Sequence, residues 1–184
     1  ASSTVSGTGF STYLASPPAI GSSVAGTGAF TTLSASSTVS GTGFSNFASL
    51  NNYSPFVNST EKVTVAATAA TGTINYDTDT QSVLYYTSAA AGDWTVNFRD
   101  SSGASLDSVL ATGEAITLVH LVTLTGSEYR NTTVQVDGVG ITPEWQGGSA
   151  PTEGNINSID SYSYTIIKTG SAAFTILAAL TQFA

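Results

Sequence analysis

The chain has 184 residues, with four Lys and Arg against twelve Asp and Glu, giving a net charge of −8. A surface that acidic repels phosphate backbones and offers no basic stripe to lipid headgroups, which counts against nucleic acid and membrane as partners. Cys is absent, so disulfides, zinc-thiolate sites and thiol nucleophiles are excluded together, and no apolar run approaches the ~20 residues that span a bilayer.

Composition also sets the fold class. There are 29 Thr and 27 Ser, and only 9% of residues are charged. Thr, Val, Ile, Tyr and Phe fit a pleated surface, whereas Ser, Gly, Asn and Asp fit turns. Ala is common but sits beside Thr and Gly, not at helical spacing. An all-β protein is expected. No Met occurs anywhere, and the first residue opens a repeat unit, so an upstream N-terminal part is expected.

The opening eleven residues, ASSTVSGTGFS, return unchanged at 35–45, a period of 34. A degenerate copy lies between them. In each unit a Val (Val5, Val24, Val39) stands just before Gly-Thr-Gly, and a Phe (Phe10, Phe30, Phe44) stands just after it. One such unit cannot close a core; repeats of this kind gain stability by stacking on neighbours or on other chains. Residues 1–50 are therefore read as an extended, trimeric β-repeat shaft, with those Val and Phe side chains meeting on a common axis. Pro17 and Pro18 stiffen the turn between units. A flexible Gly/Ser/Thr linker would show no such regular Val and Phe.

From about residue 51 the pattern changes to period-two alternation, the mark of half-buried strands. Strands are expected at 61–67, 73–76, 82–87 and 94–99, with Trp94, Val96 and Phe98 of the last facing in and Thr95, Asn97 and Arg99 facing out. Residues 106–113 suit a short helical turn closed by Gly113. Ala115–Thr125 is apolar on both parities and reads as a central strand covered on both sides. A strand at 132–136 leads to Asp137-Gly138, a tight-turn pair. A long irregular stretch follows, and strands at 161–169 and 172–180 finish the chain. About eight strands suit a jelly-roll-like β-sandwich over residues 51–184.

Little here suggests catalysis. His120 is the single histidine, and its parity groups it with Ile116, Leu118, Val122 and Leu124, so it belongs to the core or to a trimer axis. Asp77 and Asp79 lack the further oxygen ligands of a calcium loop and read as solvated turn residues. No enzyme, metal or cofactor is expected. The sharpest cluster is Ile141–Pro151. Trp145 and Gln146, with Asn155 and Asn157 downstream, offer a surface that stacks on and hydrogen-bonds a glycan, or meets another subunit. The plainer reading has Trp145 closing the end of the sandwich while Gly147-Gly148 turns the chain. Asn58 and Asn131 each open a glycosylation triplet, which a Thr-rich chain produces by chance.

Residues 16–36, SPPAIGSSVAGTGAFTTLSAS, resemble the PPAIG and GxFTTL repeats of tailed-phage structural proteins, above all tail fibres of marine and cyanobacterial phages. Residues 84–99, 107–118 and 135–170, together with FTILAALTQF at 174–183, resemble a C-terminal domain of virion proteins from the same phages. The resemblance implies a homotrimeric fibre or spike, projecting from tail or capsid, held to other virion proteins through an upstream region and engaged in host attachment, with a host surface glycan as a candidate partner. It carries no enzymatic motif. The expected location is the virion; alternatives are a capsid decoration protein, a glycan-cleaving tailspike and a bacterial adhesin.

Overall fold

The alternation of β-branched and aromatic residues with Thr and Ser produces ten strands among the described residues. The computed structural model describes residues 60–183. The shaft segment 1–50, with Val5, Phe10, Val24, Phe30, Val39 and Phe44, lies outside the described residues, as does Asn58. The strands are β1 (Val63–Ala69), β2 (Gly72–Asp77), β3 (Val83–Ser88), β4 (Trp94–Arg99), β5 (Ala115–Leu124), β6 (Asn131–Val136), β7 (Val139–Ile141), β8 (Glu144–Trp145), β9 (Ser158–Gly170) and β10 (Ala173–Phe183). One short helix, α1 (Leu106–Val109), interrupts the β4–β5 connection.

Two sheets form, one ordered β1-β3-β5-β9-β10-β8 and the other β2-β4-β6-β7. β1, β3 and β5 pair in parallel, and so do β2, β4 and β6. The first six strands therefore alternate between sheets, and the chain winds as a flattened coil of three turns. Antiparallel pairs close it: β5 with β9, β9 with β10, and β6 with β7. The all-β, two-sheet expectation holds for the described residues. The connectivity differs from a jelly roll, which is built of antiparallel strands. A parallel pair needs a long crossover, and each crossover here is the strand laid down in the opposite sheet. Period-two alternation is the same in both arrangements, so the pattern alone did not separate them.

The core lies between the sheets, where Trp94, Val96 and Phe98 face in as expected and are essentially unexposed. Asn97, expected outside, is also buried. Its amide donates to Asn75 Oδ1 at 2.9 Å, and its own Oδ1 accepts from Gly138 N at 2.8 Å. These bonds satisfy it at the rim of the second sheet. In β1 the apolar parity points outward: Val63 and Val65 are 47% and 63% exposed. β5 is central, but only its Leu118, His120, Val122 and Leu124 parity is buried; Val119 and Leu121 remain partly exposed among the described residues. The expected cover on both sides is thus present on one.

The Asp137-Gly138 turn forms as expected, with both residues at positive φ (52° and 79°), the geometry that matches strand twist in a two-residue hairpin. Its carboxylate accepts from the backbone N–H groups of Leu106 and Asp107 at 2.7 and 3.0 Å, tying the hairpin to the start of α1. That helix ends at Val109 with Leu110 as its cap, earlier than Gly113. Lys168 secures its far end. Lys168 Nζ lies 2.8 Å from both the Leu110 carbonyl and the Asp107 carboxylate, and also donates to the Asp107 carbonyl. The Lys168 ammonium, with the Ala172 N–H, holds the Asp107 carboxyl below its usual range. Replacing Lys168 by Met keeps the buried stem but leaves two carbonyls without a donor. The melting temperature of Lys168→Met is expected to fall by several degrees in a thermal scan at neutral pH, whereas Lys62→Met, at an exposed site, leaves it unchanged.

Candidate functional site

The stretch after β8 is long and largely exposed, yet it is anchored at defined points. β8 adds two residues beside β10, pairing Glu144 with Leu177 and Trp145 with Ala178. A single 3-10 turn follows (Gln146–Gly148), with Gly147 and Gly148 both at positive φ. The chain then runs to Gly154, which is buried, and whose N–H donates to the Glu128 carbonyl at 2.9 Å. Asn157 donates its N–H to the Thr125 carbonyl at 3.0 Å. Both bonds seat the loop on the β5–β6 connection. Asp160, fully buried at the start of β9, accepts from Asn155 N at 3.2 Å and Ser158 Oγ at 3.3 Å. Burial pushes its carboxyl above the ordinary range, while bonds from Asn155, Ser158 and Gln182 pull the other way.

Between this loop, the β5–β6 connection and the end of β10 lies a cleft of about 570 Å³. Trp145 forms one side, and Gln146, Asn155, Gln182, Glu128 and Glu153 bring polar side chains to it. No Lys or Arg lines it. The Trp145 ring stands nearly perpendicular to Tyr162 and Tyr164, with centroids 6.4 and 6.3 Å away. Trp145 therefore closes the edge of the core and walls the cleft at once. Of the four residues read from the sequence, Trp145, Gln146 and Asn155 come together here. Asn157 does not: it takes a positive φ of 57° at the turn into β9 and lies outside the cleft lining. Glu128 and Gln182 were missed because they come from remote parts of the chain and meet the loop only in the folded structure; Glu153 lies in the loop itself but, like the supporting Asp160, carries no local pattern that marks it.

His120 lies in the core between the two sheets and is fully buried. Neither ring nitrogen has a hydrogen-bond partner among the described residues, and the Tyr86 and Trp94 rings meet it edge to face at 5.5 and 5.9 Å. Burial pushes its pKa down to about 3. Asp77 ends β2 in an ion pair with Arg99 across the parallel register, more structural than a solvated turn residue. Asn131 is buried and donates to the carbonyls of Trp94 and Thr133, which leaves no room for a glycan. Among the described residues no group of three or more His, Asp or Glu could hold a metal ion, and no helix is long and apolar enough to cross a membrane.

The outer face of the six-stranded sheet is the other distinctive surface. One cross-strand row reads Val63, Val83, Val119, Ser163, Ala179 and the next Val65, Tyr85, Leu121, Ser161, Thr181. No charged residue points outward between β1 and β10, and Glu144 on β8 is the first at the rim. No protein-family model, curated protein or solved structure matches the chain.

Proposed function

We propose that the chain is a virion structural protein, a homotrimeric fibre or spike component that projects from a phage tail or capsid and takes part in host attachment. The repeats of residues 1–50 and the resemblance of both segments to tailed-phage proteins support the virion assignment. Self-association is carried by one observation, the uncharged outer face of the six-stranded sheet. A body with net charge −8 associates with its own copies only where carboxylates are not forced together, and this face brings none. It presents about twenty outward positions, close to the ~20–30 residues a side of a standard interface. Its Val, Leu and Tyr side chains gain on leaving water, at about 25 cal/mol per Å² of apolar surface.

Light scattering and native mass spectrometry test this reading. The wild type is expected at the mass of three chains, and Leu121→Asp at the mass of one with unchanged circular dichroism. The substitution places a carboxylate at a partly exposed position, so the isolated fold tolerates it while three copies facing one another do not. A monomeric wild type at micromolar concentration overturns the trimer. A trimer indifferent to Leu121→Asp overturns the choice of face. An antibody against residues 60–183 is expected to label appendages of the source particle at tens of copies; unlabelled particles overturn the virion assignment.

A further inference from the structure

We infer that the Trp145 cleft is a binding site for a neutral saccharide. The inference deepens the attachment reading by giving it a ligand class, but it stands on the geometry of the cleft. A sugar presents an apolar C–H face and a rim of hydroxyls that both donate and accept. Trp145 supplies a flat apolar wall, and Tyr162 and Tyr164 fix its orientation from behind. Gln146, Asn155 and Gln182 each offer an amide carbonyl and an NH₂, which match hydroxyls in either sense, while Glu128 and Glu153 accept from adjacent hydroxyl groups. A volume of about 570 Å³ is within the range of small-molecule sites and accommodates a short saccharide.

Charge narrows the class. Two carboxylates and no cation line the cleft, so uronic, sialic, sulfated and phosphorylated sugars meet repulsion with no compensating pair. The floor is already held in place. Asp160 fixes the Asn155 backbone and Ser158, and Gly154 is tied to Glu128. Little ordering entropy remains for a ligand to supply. In a trimer three such clefts act together, which raises avidity on a repetitive polysaccharide far above that of one site.

The two tryptophans give a direct readout. Trp94 is sealed in the core at 1% exposure, whereas Trp145 walls the cleft, so a sugar-dependent change in emission reports Trp145. The full chain is applied to an array of neutral and acidic glycans, and hits are titrated by tryptophan fluorescence. Saturable binding to neutral glycans is expected, with affinity at least tenfold weaker in Gln146→Ala and in Glu153→Gln, both exposed positions whose thermal unfolding should not change. Binding to no neutral glycan, a preference for acidic ones, or affinities unaffected by both substitutions overturns the inference. Release of reducing ends that Glu153→Gln abolishes also overturns it, in favour of a glycan-cleaving site. A protein that forms trimers yet binds no sugar sinks this inference and leaves the assembly reading intact; a monomer that binds sugar does the reverse.

Discussion

Lowering the pH from 7 to 4 is expected to cost the protein about 3 kcal/mol more than it costs a His120→Leu variant. The difference comes from one proton. In the unfolded chain His120 titrates near 6.5, whereas in the folded chain burial lowers it to about 3. Between those values the unfolded state binds a proton that the folded state refuses, so stability falls as pH falls through that window and levels off below it. At pH 4 the gap of about 2.5 units, at about 1.4 kcal/mol per unit, gives the stated difference. The groups packed on the imidazole from neighbouring elements, Tyr86 on β3 and Trp94 on β4, are neutral and cannot rescue the cation. Other carboxylates add their own pH dependence: Asp107, held low, loses stability as pH falls, and Asp160, held high, moves oppositely. Both are present in wild type and variant, so they drop out of the comparison. At pH 7 the variant loses two aromatic edge contacts but no longer buries two unpartnered nitrogens, and its stability is expected to stay within about 1.5 kcal/mol of wild type. Urea titrations at pH 7 and pH 4 decide the matter. Equal acid sensitivity of the two proteins would show that His120 is not sealed away from water.

The strands were legible wherever alternation met a buried face. Trp94, Val96 and Phe98 announce β4 because three large side chains at period two have only one way to leave water. The same logic puts Val63 and Val65 on one face of β1, and both do lie on one, exposed, face. Alternation says that two valines share a face but not which face is covered, and in β1 the inner positions are Thr64 and Ala66. Parallel or antiparallel pairing was illegible for a related reason: the register of Asn75, Asn97 and Gln135 across β2, β4 and β6 depends on where the connections lead, not on any residue in the strands. The apolar outer parity of β5 was visible and was read as a sign of cover. In the structure the inner side is covered by the second sheet, and the outer side is left partly exposed among the described residues. At the cleft, Trp145, Gln146 and Asn155 were legible because they fall within one loop. Glu128 and Gln182 were not, since the loop meets them only after Gly154 has packed against the β5–β6 connection.

That packing carries the other large effect. Gly154→Ala is expected to destabilise the fold by about 3 kcal/mol, at the upper end for overpacking, and to abolish sugar-dependent fluorescence of Trp145. A methyl group on Gly154 would stand 2.2 Å from the Tyr129 carbonyl oxygen and 2.7 Å from Leu124 Cδ1. The first of these is backbone, held through the next residue, Arg130, whose N–H donates to Asp93 at 3.0 Å just before β6. The Leu124 side chain can shift; the carbonyl cannot shift without disturbing the edge of the sheet. The loop must therefore lift away, breaking the Gly154–Glu128 bond and separating Asn155 and Glu153 from the Trp145 wall. Gly126→Ala makes the same chemical change in the facing connection, where a Cβ meets nothing within 4 Å, and it is expected to leave both stability and binding nearly unchanged. Thermal unfolding and fluorescence titration of the pair separate two causes. Loss of both signals in Gly154→Ala alone places the anchor of the cleft at this contact. Equal losses in both variants would mean that backbone flexibility anywhere in these loops governs the site. Retention of binding by Gly154→Ala would show that the Trp145 cleft is held open by something other than the seat of its loop.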